Sequence, residues 1–278
     1  MDTFFVIISD LGTPLTISWL VFLLAWESAA PFFSFFRQRG KERLVHAVRN
    51  LLVGAPGALL PALGFIGLLA AVAAWTEKHA FGVLNVLPLP AWAHAAAALL
   101  ILDVFTYFWH RANHRVPFLW RFHRVHHADE WMDATTATRF HLGEIFMSSV
   151  LRVPLLFLTG IQLWELAIFE TAMLLVVQFH HANIGVGARL DRLLRIFIVT
   201  PAMHKVHHSR LRPETDSNFT AFLSLWDRVF RTFRLRDDPR TIQLGLDEFD
   251  APEHRTLAGI YKIPLANPPS PAATGQPR

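Results

Sequence analysis

The chain has 278 residues, 53% of them hydrophobic and 17% charged, and a mean hydropathy of +0.32, too apolar for an ordinary soluble domain. It contains no cysteine, which excludes disulfides, iron–sulfur clusters and thiolate-held haem or zinc and leaves the compartment open. The net charge of +4 comes with basic residues mixed among Trp and Phe near apolar segments, which suits anionic lipid headgroups and argues against nucleic acid as a partner.

In chain order, residues 4–26 form a first membrane-spanning candidate, interrupted by Asp10, Gly12 and Pro14. Asp2 and the missing basic stretch before it argue against a cleaved signal peptide. Residues 37–49 carry Arg37, Arg39, Lys41, Arg43 and Arg49 and are expected as a cytoplasmic loop. Residues 51–75 make a second span, loosened by Gly54, Pro56 and Pro61. A turn at 76–92 follows on the outside, and residues 93–112 return as a third span. Residues 145–179 are apolar but broken near Pro154 and Thr159-Gly160. Two helices forming a membrane hairpin fit them better than one helix of over about 50 Å. The segment 186–240 is basic and amphipathic and is expected to lie on the headgroups. Residues 264–278, rich in Pro, Ala and Gly, read as disordered.

Histidine is the chemical signal. His110 and His114 are spaced H-x-x-x-H; His123, His126 and His127 form H-x-x-H-H, as do His204, His207 and His208, and His180-His181 stand between. Eleven of the 15 histidines fall between His110 and His208. Spacings of three and four put rings on one helix face, imidazole is the commonest metal ligand, and burial at this density is costly unless the rings are paired or metal-bound. A single H-x-x-x-H would carry little weight; the set together does. Asp103, Tyr107, His110 and His114 share one helical stripe, so Asp103 is a candidate to hold a ligand imidazole by its other nitrogen. His46, His79, His94 and His254 stand alone and are expected at a surface or interface. By its residues alone the set favours iron or zinc without choosing between them.

These motifs resemble the fatty acid hydroxylase/sterol desaturase superfamily of integral membrane oxygenases, over about residues 95–235. HRANH, HRVHH, HHAN at 180–183 and HKVHHS at 204–209 carry the likeness. RFHLGE at 139–144 has Leu142 where the family has proline, and DSNFTAFLSLWDRVFRT at 216–232 departs from the family pattern at Phe219, Thr220 and Arg231. The resemblance implies two iron ions (zinc being possible in purified protein) and O2 as co-substrate. The implied ligands are His110, His114, His123, His126, His127, His181, His204, His207 and His208. His180 is a weaker candidate, expected to face the headgroups or a carbonyl. Asn183 and Asp216 could support the ligands, and Arg139, His141 and Glu144 could form a polar cluster beside them.

The expected fold is an all-α integral membrane protein: about three transmembrane helices plus a membrane hairpin, with a cytosolic helical cap carrying the histidines. Residues 1–92 are the N-terminal transmembrane region, 93–240 a hydroxylase-like catalytic domain, and 241–278 a partly disordered tail. The implied activity is O2-dependent hydroxylation or desaturation of a lipid such as a fatty acyl chain, sterol-like lipid, carotenoid or ether lipid. Electrons must then come from a separate ferredoxin- or cytochrome-type reductase system, because no H-P-G-G haem motif and no G-x-G-x-x-G loop is present. A bacterial inner membrane is the expected location, with the histidines on the cytoplasmic side. The alternative is a non-redox zinc-binding or interaction protein that keeps the fold.

Overall fold

Long apolar runs in a membrane must satisfy their backbone internally, and helices do so. A computed structural model describes residues 2–36 and 39–267 and contains no strand among them. Five helical stretches are long and apolar enough to cross a bilayer. The first is α1 (Asp2–Ala29). Next, α2 (Gly40–Leu60) and α3 (Ile66–Lys78) run as one 39-residue rod, joined by a π-type turn at Pro61–Phe65. Pro56 and Pro61 lack the N–H for the helical ladder, and the π turn re-registers it without breaking the rod. The other three are α4 (Ala91–Arg115), α6 (Leu142–Thr159) and α7 (Leu163–His181); between α4 and α6 lies α5 (Pro117–His127), too short at 11 residues to cross.

The expected loop at 37–49 is a correction. From Gly40 onward it is the start of α2, and Arg37 lies outside the described residues. Lys41, Glu42 and Arg43 are good helix formers, and Arg43 Nη2 bonds Glu27 Oε1 of α1 at 2.8 Å, drawing the two helix ends together. The hairpin of α6 and α7 forms as expected, but only Gly160 breaks it; Pro154 stays inside α6. Gly160 has φ +77°, and Gly82 (φ +100°) packs so close that a Cβ there would lie 2.4 Å from Gly160 N.

That glycine contact ties the α3–α4 turn to the α6–α7 turn at one end of the bundle, with Val83 N donating to Leu158 O at 3.0 Å. At the other end lie the last turns of α1, α4 and α7 and the first turns of α2 and α6, bridged by Glu27 accepting from Asn183 N at 2.7 Å. Every histidine cluster therefore sits at a single end. α6 packs on α2 and α3, whereas α7 packs on α1 and α4. Near the glycine turns Leu69, Leu102, Leu156, Leu166 and Phe169 close the core.

Residues 186–240 form no long amphipathic helix. Short helices α8 (Ala188–Leu194), α9 (Pro201–His207), α10 (Arg212–Thr215) and α11 (Leu225–Val229) wrap the histidine end, while Leu190, Leu193, Ile196 and Phe197 are each more than half exposed. The C-terminal region is more ordered than expected. Through Asn267 it is folded: α12 (Leu257–Lys262) and the turn after it bury Ile260 and Ile263 against Val53 and Val125, and Arg124 Nη2 donates to Ile263 O at 2.6 Å. Residues 268–278 of the expected disordered tail lie outside the described residues.

Candidate metal centre

α4 delivers His110 and His114, α5 delivers His123, His126 and His127, the end of α7 delivers His181, and α9 with its cap delivers His204, His207 and His208. The nine imidazoles gather in two groups: His110, His114, His123, His127 and His207 in one; His126, His181, His204 and His208 in the other. Within each group the nearest ring nitrogens all lie within 4.8 Å of one another. All nine are buried except His110, which is half-buried.

The tautomers show what these rings can hold. His110 Nδ1 meets Phe219 O at 2.6 Å, His207 Nδ1 meets Ser217 O at 2.6 Å, and His181 Nδ1 meets Val177 O at 2.7 Å. A carbonyl only accepts, so each Nδ1 carries the proton and each Nε2 presents a bare lone pair. Those lone pairs converge: His110 Nε2 lies 3.0 Å from the Nε2 of both His123 and His207, and His181 Nε2 lies 3.0 Å from that of His126 and 2.9 Å from that of His204. Facing lone pairs repel, and a cation between them relieves the repulsion. Both nitrogens of His114 and His127 are buried without a hydrogen-bond partner, as is Nδ1 of His126, His204 and His208. Such orphaned groups are costly unless something binds them. The donor set fits a pair of metal ions that accept imidazole nitrogen.

Electrostatics agree. Burial lowers His126, His127, His204 and His208 well below the usual imidazole range and takes His207 down to about 3, so these rings are neutral at physiological pH. Neutral imidazole is the form that binds metal.

The supporting residues differ from expectation in several places. Glu144 Oε1 holds His123 Nδ1 at 2.9 Å, but Arg139 and His141 are elsewhere. Arg139 points to Val125 O and Asn50 Oδ1, and His141 Nδ1 accepts from Gly143 N to cap α6. Sequence neighbours at a helix start diverge, so no single cluster forms. Asp103 touches no imidazole: its Oδ2 accepts from Trp226 Nε1 at 2.7 Å and Leu223 N at 3.2 Å, pinning the 222–226 segment to α4. Main-chain carbonyls take the role expected of it. Asp216 Oδ1 lies 3.4 Å from His114 Nδ1, while Asn183 exchanges hydrogen bonds with Phe33 and so ties the α1–α2 connection to α7. His180 does not face the headgroups. It is buried, its ring centroid 3.9 Å from that of His204, and it joins neither group.

Sequence reasoning missed a second polar network. His46, expected at a surface or interface, is buried between Asp129 (Nε2 to Oδ1, 2.8 Å) and Asp133 (Nδ1 to Oδ2, 3.3 Å). Asn50 and Thr136 also donate to Asp129. Burial alone would raise the Asp129 carboxyl, but His46 and Arg139 hold it well below the usual carboxylate range. The paired acids of H-H-A-D-E-W-M-D were the available signal. Lys205, between two ligand candidates, is also buried, with Nζ donating to Ala182 O at 3.1 Å. Of the other solitary histidines, His94 is held by Glu165 at 2.7 Å near the glycine turns, His79 is exposed, and His254 is half-buried beside Phe249.

The loop with the unusual residues lies directly behind the rings. Phe219 is fully buried against His110, His114 and His207, and Asp227 accepts from Phe219 N and Thr220 N, fixing the loop that supplies both carbonyls. Arg231 has φ +58°, a left-handed position that favours glycine.

The chain matches the fatty acid hydroxylase family over residues 95–232. It is similar to alkylglycerol monooxygenase of Danio rerio, at 31% identity over 141 residues, which is 51% of this chain and 30% of that protein. It is also similar to ornithine lipid hydroxylase OlsE of Rhizobium tropici, at 30% identity over 152 residues (53% and 44% of the two chains). Cholesterol 25-hydroxylase of Rattus norvegicus is 26% identical over 178 residues, 59% of this chain and 55% of that one. The matched region thus spans less than two thirds of each of these relatives. No solved structure matches the chain.

Proposed function

Because the chain belongs to the fatty acid hydroxylase family, we propose that it is a membrane-bound, O2-dependent lipid hydroxylase whose nine imidazoles hold two iron ions. One observation carries this reading: two adjacent groups of imidazoles turn Nε2 lone pairs toward common points. Iron held there supplies one-electron chemistry toward O2, which redox-inert zinc does not. The overall reaction inserts one oxygen atom into a C–H bond and releases the other as water, consuming two electrons and two protons. The electrons come from a separate ferredoxin- or cytochrome-type donor, since the chain has no cysteine to hold a cluster of its own.

The protein's own residues set the geometry. The carbonyls of Val177, Ser217 and Phe219 fix three ring orientations and keep each proton on Nδ1. Glu144 does the same for His123. Burial of the groups excludes bulk water from the reacting centre. The substrate is a lipid reaching the groups from the bilayer, with the histidine end at the cytoplasmic face of a bacterial inner membrane.

Metal analysis and O2 uptake test this. Purified full-length protein should hold close to two iron ions per chain and consume O2 when given a lipid extract and reductant. His207→Ala should lose at least one metal ion, whereas His254→Ala, outside both groups, should keep both. Iron-loaded protein that takes up no O2 with any lipid fraction would leave only a metal-binding membrane protein.

A further inference from the structure

Charged side chains are rare within membrane spans and, where present, face a bundle interior or a pathway. Arg152 of α6 and Glu170 of α7 are such a pair, with Arg152 Nη2 2.7 Å from Glu170 Oε1. At 1.5 Å rise per residue, both lie about 10 Å from the α6–α7 turn. Arg152 is about 12 Å along its helix from Glu144, and Glu170 about 16 Å from His181. The pair is not sealed by protein: the side chains keep 21% and 34% of their exposure. Glu170 Oε1, facing Arg152 without hydrogen-bond alignment, is itself buried, so the exposed part of the carboxylate is its remaining atoms.

The pair reaches across between two helices with different main neighbours, α2 and α3 for α6, α1 and α4 for α7. A polar line leads from it to the imidazoles. On α6, Arg152, Ser148 and Glu144 recur every fourth residue and share a face; Ser148 and Glu144 are buried, and Glu144 holds His123. On α7, Gln178 is 3% exposed with Oε1 unpartnered, one turn before His181.

Resting on the reading of the protein as a lipid hydroxylase, we propose that Arg152 and Glu170 recognise the hydroxyl group of a long neutral lipid. The carbon to be oxidised then lies roughly 12–16 Å from that hydroxyl, at the imidazoles. A hydroxyl accepts from Arg152 and donates to Glu170, using both partners. A carboxylate is repelled by Glu170, an ammonium by Arg152, and an ether leaves Glu170 unused.

The probe is hexadecan-1-ol carrying a diazirine on the carbon beside its hydroxyl, photolysed with full-length protein in nanodiscs and mapped by mass spectrometry. Crosslinks are expected within 148–156 and 166–174. Unlabelled hexadecan-1-ol should displace the probe at least about tenfold better than its methyl ether, as loss of a hydrogen bond to a charged group implies. The Arg152→Met/Glu170→Leu double variant should lose both the labelling and the preference. It should keep its metal content and melting temperature, because replacing an ion pair held out of bulk water in a membrane span with apolar side chains is often neutral. Crosslinks confined to the interfacial segments 116–120 and 188–197, no preference over the ether, or unchanged labelling in the double variant would each overturn the assignment. Wild-type labelling decides even where the double variant fails to fold. Metal content and O2 uptake on the same sample judge the hydroxylase reading separately. Labelling without uptake supports the lipid site alone, and uptake without labelling overturns the site alone.

Discussion

At the scale of single residues, the adjacent histidines at the end of α7 differ most in what their loss should do. Neighbours on a helix point about 100° apart, and only His181 turns Nε2 toward His126 and His204. His181→Ala should abolish oxygenation and lower metal content, while His180→Ala should keep most of the metal and some activity, as read by metal analysis and turnover of the same preparations. The reverse pattern would transfer the ligand role to His180, whose ring already lies against His204. The histidine spacings were legible because rings three and four apart share a helix face. What orients them was not, because a carbonyl leaves no mark in a sequence. Asp103 was misread for a related reason. Its stripe with Tyr107 and His110 is real, but the groups it holds come from Leu223 and Trp226, some 120 residues later. His46 has no histidine company nearby in the sequence, and its partners Asp129 and Asp133 arrive more than 80 residues on.

At the scale of elements, apolar length located the spans, and the hairpin was legible from its glycine. Ends were harder to read. A basic run looks like a loop when its partner is unseen, yet Arg43 is a helical residue anchored by Glu27 of the preceding helix. The antiparallel order of α2–α3, α4, α6 and α7 sets a topology that can be tested directly. Single cysteines at Gly40 and Glu130, at the histidine end, should react with an impermeant thiol reagent only from the cytoplasmic side. A cysteine at Val86, 67% exposed beside the glycine turns, should react only from outside. Labelling of position 130 from outside would refute the orientation.

At the scale of the whole molecule, the histidine end is a concentrated store of unprotonated groups. His126, His127, His204, His207 and His208 titrate in the folded protein below the unfolded value of about 6.5, so the unfolded chain takes up more protons in that window. Stability should therefore be full above about pH 6.5 and fall as the pH drops toward the folded value, which for His207 is about 3. Each such ring costs up to about 1.4 kcal/mol per pH unit. Melting curves of metal-free protein should shift down steeply from pH 7 to pH 5. Metal-loaded protein should shift less, because bound ions compete with protons for the same nitrogens. Equal shifts in both forms would mean that the rings do not hold the metal.

The carbonyls of Val177, Ser217 and Phe219 give the protein an uneven sensitivity to genetic change. No point mutation deletes a main-chain oxygen, so the three contacts that aim His181, His207 and His110 are invisible to a substitution scan at their own positions. For the 217–219 pair the vulnerability moves to Asp227, whose carboxylate receives the amides of Phe219 and Thr220 and the hydroxyl of Thr232. A lineage could thus vary the side chains around the rings while their aim is inherited unchanged, provided that one acid persists.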